Sequence, residues 1–122
     1  MIVVAIVSDL ILASRIEEAA ARSGAEYRRV DSPDALPAPG TVDLLLVDWS
    51  ARQPNWGEGL LAWRVAPNRP RVILFGPHTD LAAHDAARQA GLGPMWARSK
   101  LVSELPHILN TDRVAEAVRP AP

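Results

Sequence analysis

The 122-residue chain contains no cysteine. That absence excludes disulfides, thiolate catalysis and zinc sites built on cysteine, and it fits a reducing cytosolic setting. No sign of charge dominates either: 13 basic residues stand against 14 acidic ones, a net charge of -1. Nucleic acid is therefore not expected as a partner, because phosphate backbones are met by basic surfaces. Long apolar runs are also missing. The N-terminal "IVVAIV" stops at Ser8 with no basic segment before it, too short for a signal peptide or a membrane span. A soluble cytoplasmic protein with no membrane partner is the expectation. Phe and Tyr occur once each beside four Trp, and the 13 basic residues include a single lysine, Lys100.

What is present suits one domain, since 48% of the residues are apolar and the length lies near the commonest domain size. The runs "IVVAIV" (2–7), "LLLV" (44–47) and "VILF" (72–75) are continuous rather than alternating, the pattern of strands covered on both faces of a parallel sheet. Two weaker strands are predicted over 25–30, "AEYRRV", and 94–97, "PMWA". Helices are predicted between them. One runs from a Ser8 or Asp9 cap to Gly24, one over 57–66 up to Pro67, and one over 79–91 from a Thr79 or Asp80 cap to Gly91. A last helix covers 101–109 with a kink or restart at Pro106. The segment 32–42 holds three prolines and leaves room for at most one short helical turn. Residues 111–122 are expected to extend the last helix or to form a frayed tail after a domain over 1–110.

Strands alternating with helices through right-handed crossovers predict an α/β, doubly wound, flavodoxin-like three-layer sandwich. Its sheet would be five-stranded and parallel, in the order 2-1-3-4-5. In such sheets ligands gather at the carboxyl ends of the strands. The residues falling there are Ser8 and Asp9, then Asp48, then Gly76 to His78, then Arg98.

The segments "VVAIVSDLILASRIEEA", "VDLLLVDWS", "RVILFGPH" and "AARQAGLGPMWARSKLVSEL" resemble, over roughly residues 2–109, the receiver domain of response regulators in bacterial two-component signalling. The resemblance implies a phosphorelay site. Asp48 matches the phosphoacceptor, and Asp9 matches the second member of an acidic pair that helps to hold Mg²⁺ near it. The remaining positions depart from the family pattern. Ser8 replaces the first acidic residue, Gly76 replaces a hydroxyl residue, Arg98 replaces a lysine, and Lys100 lies two positions beyond. These departures point to a pseudo-receiver variant with a degenerate site lined by Ser8, Asp9, Gly76, His78, Arg98 and Lys100.

Each residue also has a plainer role. Asp48 suits a cap on the loop that follows it, Asp9 a helix N-cap, and Arg98 an ion pair with Asp48 or Asp9 in the place of Mg²⁺. His78 and His84 suit a loop and a helix surface better than a metal site. Trp49 and Trp56 are candidates for anchoring a partner or for covering the site. Trp63 suits the core. Trp96 is a candidate for a homodimer face shared with the helices on either side of its strand.

Three readings stand at this level. The first is a stand-alone, non-enzymatic signalling module that acts through protein partners. The second is a genuine receiver phosphorylated on Asp48 with Mg²⁺, for which a histidine kinase would be the partner. The third is a small flavodoxin-like enzyme or ligand-binding protein, disfavoured because "VSDLILAS" after the first strand has no glycine to wrap a phosphate. No effector domain is expected after residue 109, so any output would come through a partner.

Overall fold

The computed structural model describes residues 1–64 and 70–118, with backbone only beyond residue 109. Five parallel strands form one sheet in the order β2-β1-β3-β4-β5: β1 (Ile2–Ile6), β2 (Glu26–Val30), β3 (Leu44–Asp48), β4 (Arg71–Gly76) and β5 (Met95–Ala97). The helices are α1 (Leu10–Arg22), α2 (Trp56–Arg64), α3 (Leu81–Gln89) and α4 (Arg98–Val118). The expected sheet order and layer arrangement are thus those observed.

The continuous apolar runs are explained by what covers them. In the central strand β3, Leu44 and Leu46 join a core with Leu12 and Ile16 of α1 and Leu101, Leu105 and Ile108 of α4. Leu45 and Val47 face a second core with Trp56 and Leu60 of α2 and Ala83 and Ala87 of α3. Successive strand residues point to opposite faces, so a strand buried on both faces must be apolar throughout.

Turn chemistry sets the helix ends. Asp9 caps α1, its Oδ1 accepting from the backbone N–H of Ile11 (2.9 Å) and Leu12 (3.3 Å), and Asp80 caps α3 through Ala83 N–H (3.0 Å). Both helices stop at a left-handed glycine, Gly24 (φ 73°) and Gly91 (φ 72°). There the chain folds back through Ala25 N–H to Ala20 O (2.8 Å) and Leu92 N–H to Ala87 O (3.2 Å), the geometry glycine adopts without cost.

Three expectations are corrected. The segment 32–42 forms two 3₁₀ turns, Pro33–Ala35 and Pro39–Thr41, because two separate prolines each start one. The last helix begins at Arg98, not Leu101. It also continues through Pro106 without a restart, the missing N–H costing one intrahelical bond without stopping the helix. Finally, α2 starts at Trp56, one residue before the expected start. Its predicted end at Pro67, and residues 119–122 of the tail, lie outside the described residues. No helix of the described residues is long and apolar enough to cross a membrane.

Candidate functional site

Two aspartates bracket the β3 run and do different work. Asp43, at the amino end, accepts from the backbone N–H of Ile2 (2.7 Å) and so clamps the start of β1. Asp48, at the carboxyl end, pairs in register with Phe75 of β4 and is only 2% exposed. Burying a carboxylate costs several kcal/mol unless hydrogen bonds and a counter-charge replace its water, and both are present. Its Oδ1 accepts from Ser50 N–H (3.1 Å) and from the Ser50 hydroxyl (2.5 Å), which caps the 3₁₀ turn Trp49–Ala51. Its Oδ2 faces Arg98 Nη2 at 3.4 Å.

Arg98 reaches this position because β5 ends at Ala97 and α4 begins with the next residue. Its guanidinium also approaches Asp9 Oδ2 at 3.9 Å through Nη1. One cation thus lies between two carboxylates that the fold delivers from β1 and β3. Arg98 Nε is buried without a hydrogen-bond partner, so the guanidinium is held by charge at its Nη ends.

The other predicted positions divide. Gly76 is buried beside the site. A Cβ there would sit 2.9 Å from Met95 Sδ and 3.6 Å from Ser50 N, so the room for a side chain is already filled. Ser8 is exposed. His78 is exposed on the loop before α3, and its carbonyl oxygen lies 3.0 Å from the His84 ring Nε2. Lys100 is turned elsewhere, its Nζ lying 4.5 Å from the centre of the Trp96 ring, a cation–π contact. Of the two basic residues, only Arg98 makes an ion pair with the site aspartates among the described residues.

Trp49 and Trp56 do not present themselves as surface anchors. They are 2% and 6% exposed and belong to the core between the sheet and α2–α3, and Trp49 Nε1 donates to Ala83 O (3.0 Å). Trp63 packs half-buried on the same core and donates to Pro37 O (2.9 Å). Trp96 packs half-buried against the other core. The sequence does carry the signal for Trp56: positions 56, 60 and 63 lie on one helical face, which requires a helix starting at Trp56 itself. Ser50 is the site residue that sequence reasoning missed. A serine two residues after an aspartate, in a turn, is the pattern that would have found it.

Asp9 and Asp48 are the two carboxylates that would hold Mg²⁺ here. They converge, but a guanidinium lies between them, and among the described residues no cluster of three or more His, Cys, Asp or Glu forms.

A five-stranded parallel sheet of order 2-1-3-4-5 with helices on both faces defines a flavodoxin-like α/β sandwich. Eleven chains of solved structures match it. Among them is the crystal structure of a response regulator receiver domain from Rhodospirillum rubrum, with a TM-score of 0.63 and 16% sequence identity over 93% of this chain and 94% of that one. The likeness is one of fold. No family model matches the chain, and no curated protein matches it in sequence.

Proposed function

We propose that this chain is a receiver-like signalling module, acting through protein contacts rather than as an enzyme, whose phosphorylation site has become an internal ion-pair site. One observation carries this reading: the Arg98 guanidinium between Asp48 (3.4 Å) and Asp9 (3.9 Å). Phosphoryl transfer needs a cation to neutralise the transferring oxygens, and here the positive charge is part of the chain. Ser50 occupies Asp48 Oδ1 with two hydrogen bonds, which leaves Oδ2, the oxygen facing Arg98, to attack. A hydroxyl at position 76 that would sense a phosphoryl group is absent, and Met95 fills its space. The output is then a protein surface, presented to a histidine kinase, another signalling protein or a second copy in the cytoplasm. Neither a cofactor nor nucleic acid has a part.

A second reading, a working phosphoacceptor at Asp48, is favoured by the length of both Arg98 contacts and by the 42% exposure of that side chain. Partly exposed pairs of this kind are held by about 1 kcal/mol or less, so Arg98 can swing out.

Amide NMR with beryllofluoride and Mg²⁺ separates the two. The module reading expects no Mg²⁺-dependent shift at residues 9, 48, 76 and 98 in the wild type. Shifts there that disappear in Asp48→Asn would establish the phosphoacceptor instead.

A further inference from the structure

An open groove of about 680 Å³ lies where the Trp49–Ala51 turn, α2 and α3 meet, and the receiver-like reading makes no use of it. Trp49, Leu61, Ala86 and Ala90 supply its apolar lining, and Arg52 and Glu58 supply its charges. The size is that of pockets that enclose a small organic ligand, about 300–1,000 Å³.

Arg52 is pre-positioned. Its guanidinium carbon lies 5.6 Å from the centre of the Trp49 ring, and Nη1 donates to Trp49 O (3.2 Å). Two contacts to one buried residue hold the fork in place, and Arg52 forms no ion pair among the described residues. Glu58, in the first turn of α2, forms none either. An apolar lining beside an indole, with a held guanidinium whose charge is unanswered, is complementary to a ring that carries an anionic group.

We infer that this groove is a binding site for a small flat aromatic anion, with the ring on the lining of Leu61, Ala86 and Ala90 and the anionic group at Arg52. Glu58 opposes negative charge, so it sets the orientation by repelling the anionic end.

The test uses the full chain and two probes of similar shape: anilinonaphthalene sulfonate, which is anionic, and phenylnaphthylamine, which is neutral. Binding is followed by probe fluorescence and by the indole N–H resonance of Trp49. The expected result is that Arg52→Gln weakens the sulfonate by about tenfold, the worth of a charged hydrogen bond at a half-exposed site, while the neutral probe changes by less than about twofold. Glu58→Gln is expected to tighten the sulfonate only. Arg52→Lys, which keeps the charge but loses the fork, is expected to fall between wild type and Arg52→Gln. A retained dispersed amide spectrum shows that each variant is folded. Equal loss of both probes, no loss of either, or perturbation confined to the exposed Leu10, Ile11 and Leu81 would overturn the assignment.

Discussion

A methyl group added to Gly76 would sit 2.9 Å from Met95 Sδ, closer than carbon and sulfur approach without one of them moving. Met95 is itself buried, so yielding means repacking. Gly76→Ala is expected to lower stability by about 1–2 kcal/mol in urea unfolding, and Gly76→Thr by more. In a Met95→Ala background the increment due to Gly76→Ala should shrink. Arg98 makes a second case. Removing it leaves the buried Asp48 carboxylate with the two Ser50 hydrogen bonds and no cation. Arg98→Ala is expected to cost about 1 kcal/mol, less than a fully buried pair would lose because the guanidinium is partly exposed. In an Asp48→Asn background the cost should shrink to below about 0.5 kcal/mol. Tyr27 supplies the pH dependence. Burial, then the nearby Glu17, raise its phenol above the ordinary 10.0, partly countered by Arg29, and its hydroxyl has no hydrogen-bond partner. A group whose folded value is raised adds stability below its unfolded value, and that stability is lost as the pH climbs past it. Tyr27 therefore contributes up to about pH 10 and progressively less above it. Tyr27→Phe is expected to abolish this alkaline decline in pH-dependent unfolding, at no cost near neutrality because the hydroxyl leaves no partner behind. Asp9, Asp48 and Arg98 were legible as neighbours because each falls at a strand's carboxyl end. Ser50 was not, since its role depends on a turn that no periodicity announces.

At the scale of elements, α4 carries its own flaw. Pro106 is exposed in the middle of the helix, where it removes an N–H and crowds the carbonyl of Val102. Pro106→Ala is expected to raise the thermal midpoint, corresponding to about 1–3 kcal/mol, and hydrogen exchange should slow around residues 102–106. The strands were legible to within a residue or so, since an apolar run has few other uses. Helix starts were harder. Arg98, Ser99 and Lys100 are polar and read as a loop, yet they continue directly out of β5. The tryptophans misled for a related reason: after Asp48 the chain reads as an open loop, while the turn at 49–51 and the start of α2 at Trp56 rotate both indoles inward.

The whole molecule has two cores that share one sheet. Leu46 belongs to the core under α1 and α4, and Leu45 to the core under α2 and α3. Both are fully buried. Leu45→Ala and Leu46→Ala are each expected to cost about 2–5 kcal/mol. That is a large share of the roughly 5–15 kcal/mol typical of a domain, and a single transition in urea would show that the two cores unfold together. The fold was legible at this scale because strand–helix alternation and right-handed crossovers leave few arrangements. The groove was not, because its walls come from separate segments and its lining uses small residues such as Ala86 and Ala90.

The abrupt junction between Ala97 and Arg98 has one more effect. A helix start carries about half a positive charge from its unpaired backbone N–H groups, and an arginine there is repelled by on the order of 0.3–1 kcal/mol. Asp9 and Asp48 quench that repulsion from outside the helix. The first turn of α4 is therefore stabilised by two charges from elsewhere in the fold, one at the end of β3 and one at the cap of α1. Neutralising either carboxylate is expected to weaken the start of α4, read as faster amide exchange at residues 98–101 in Asp9→Asn.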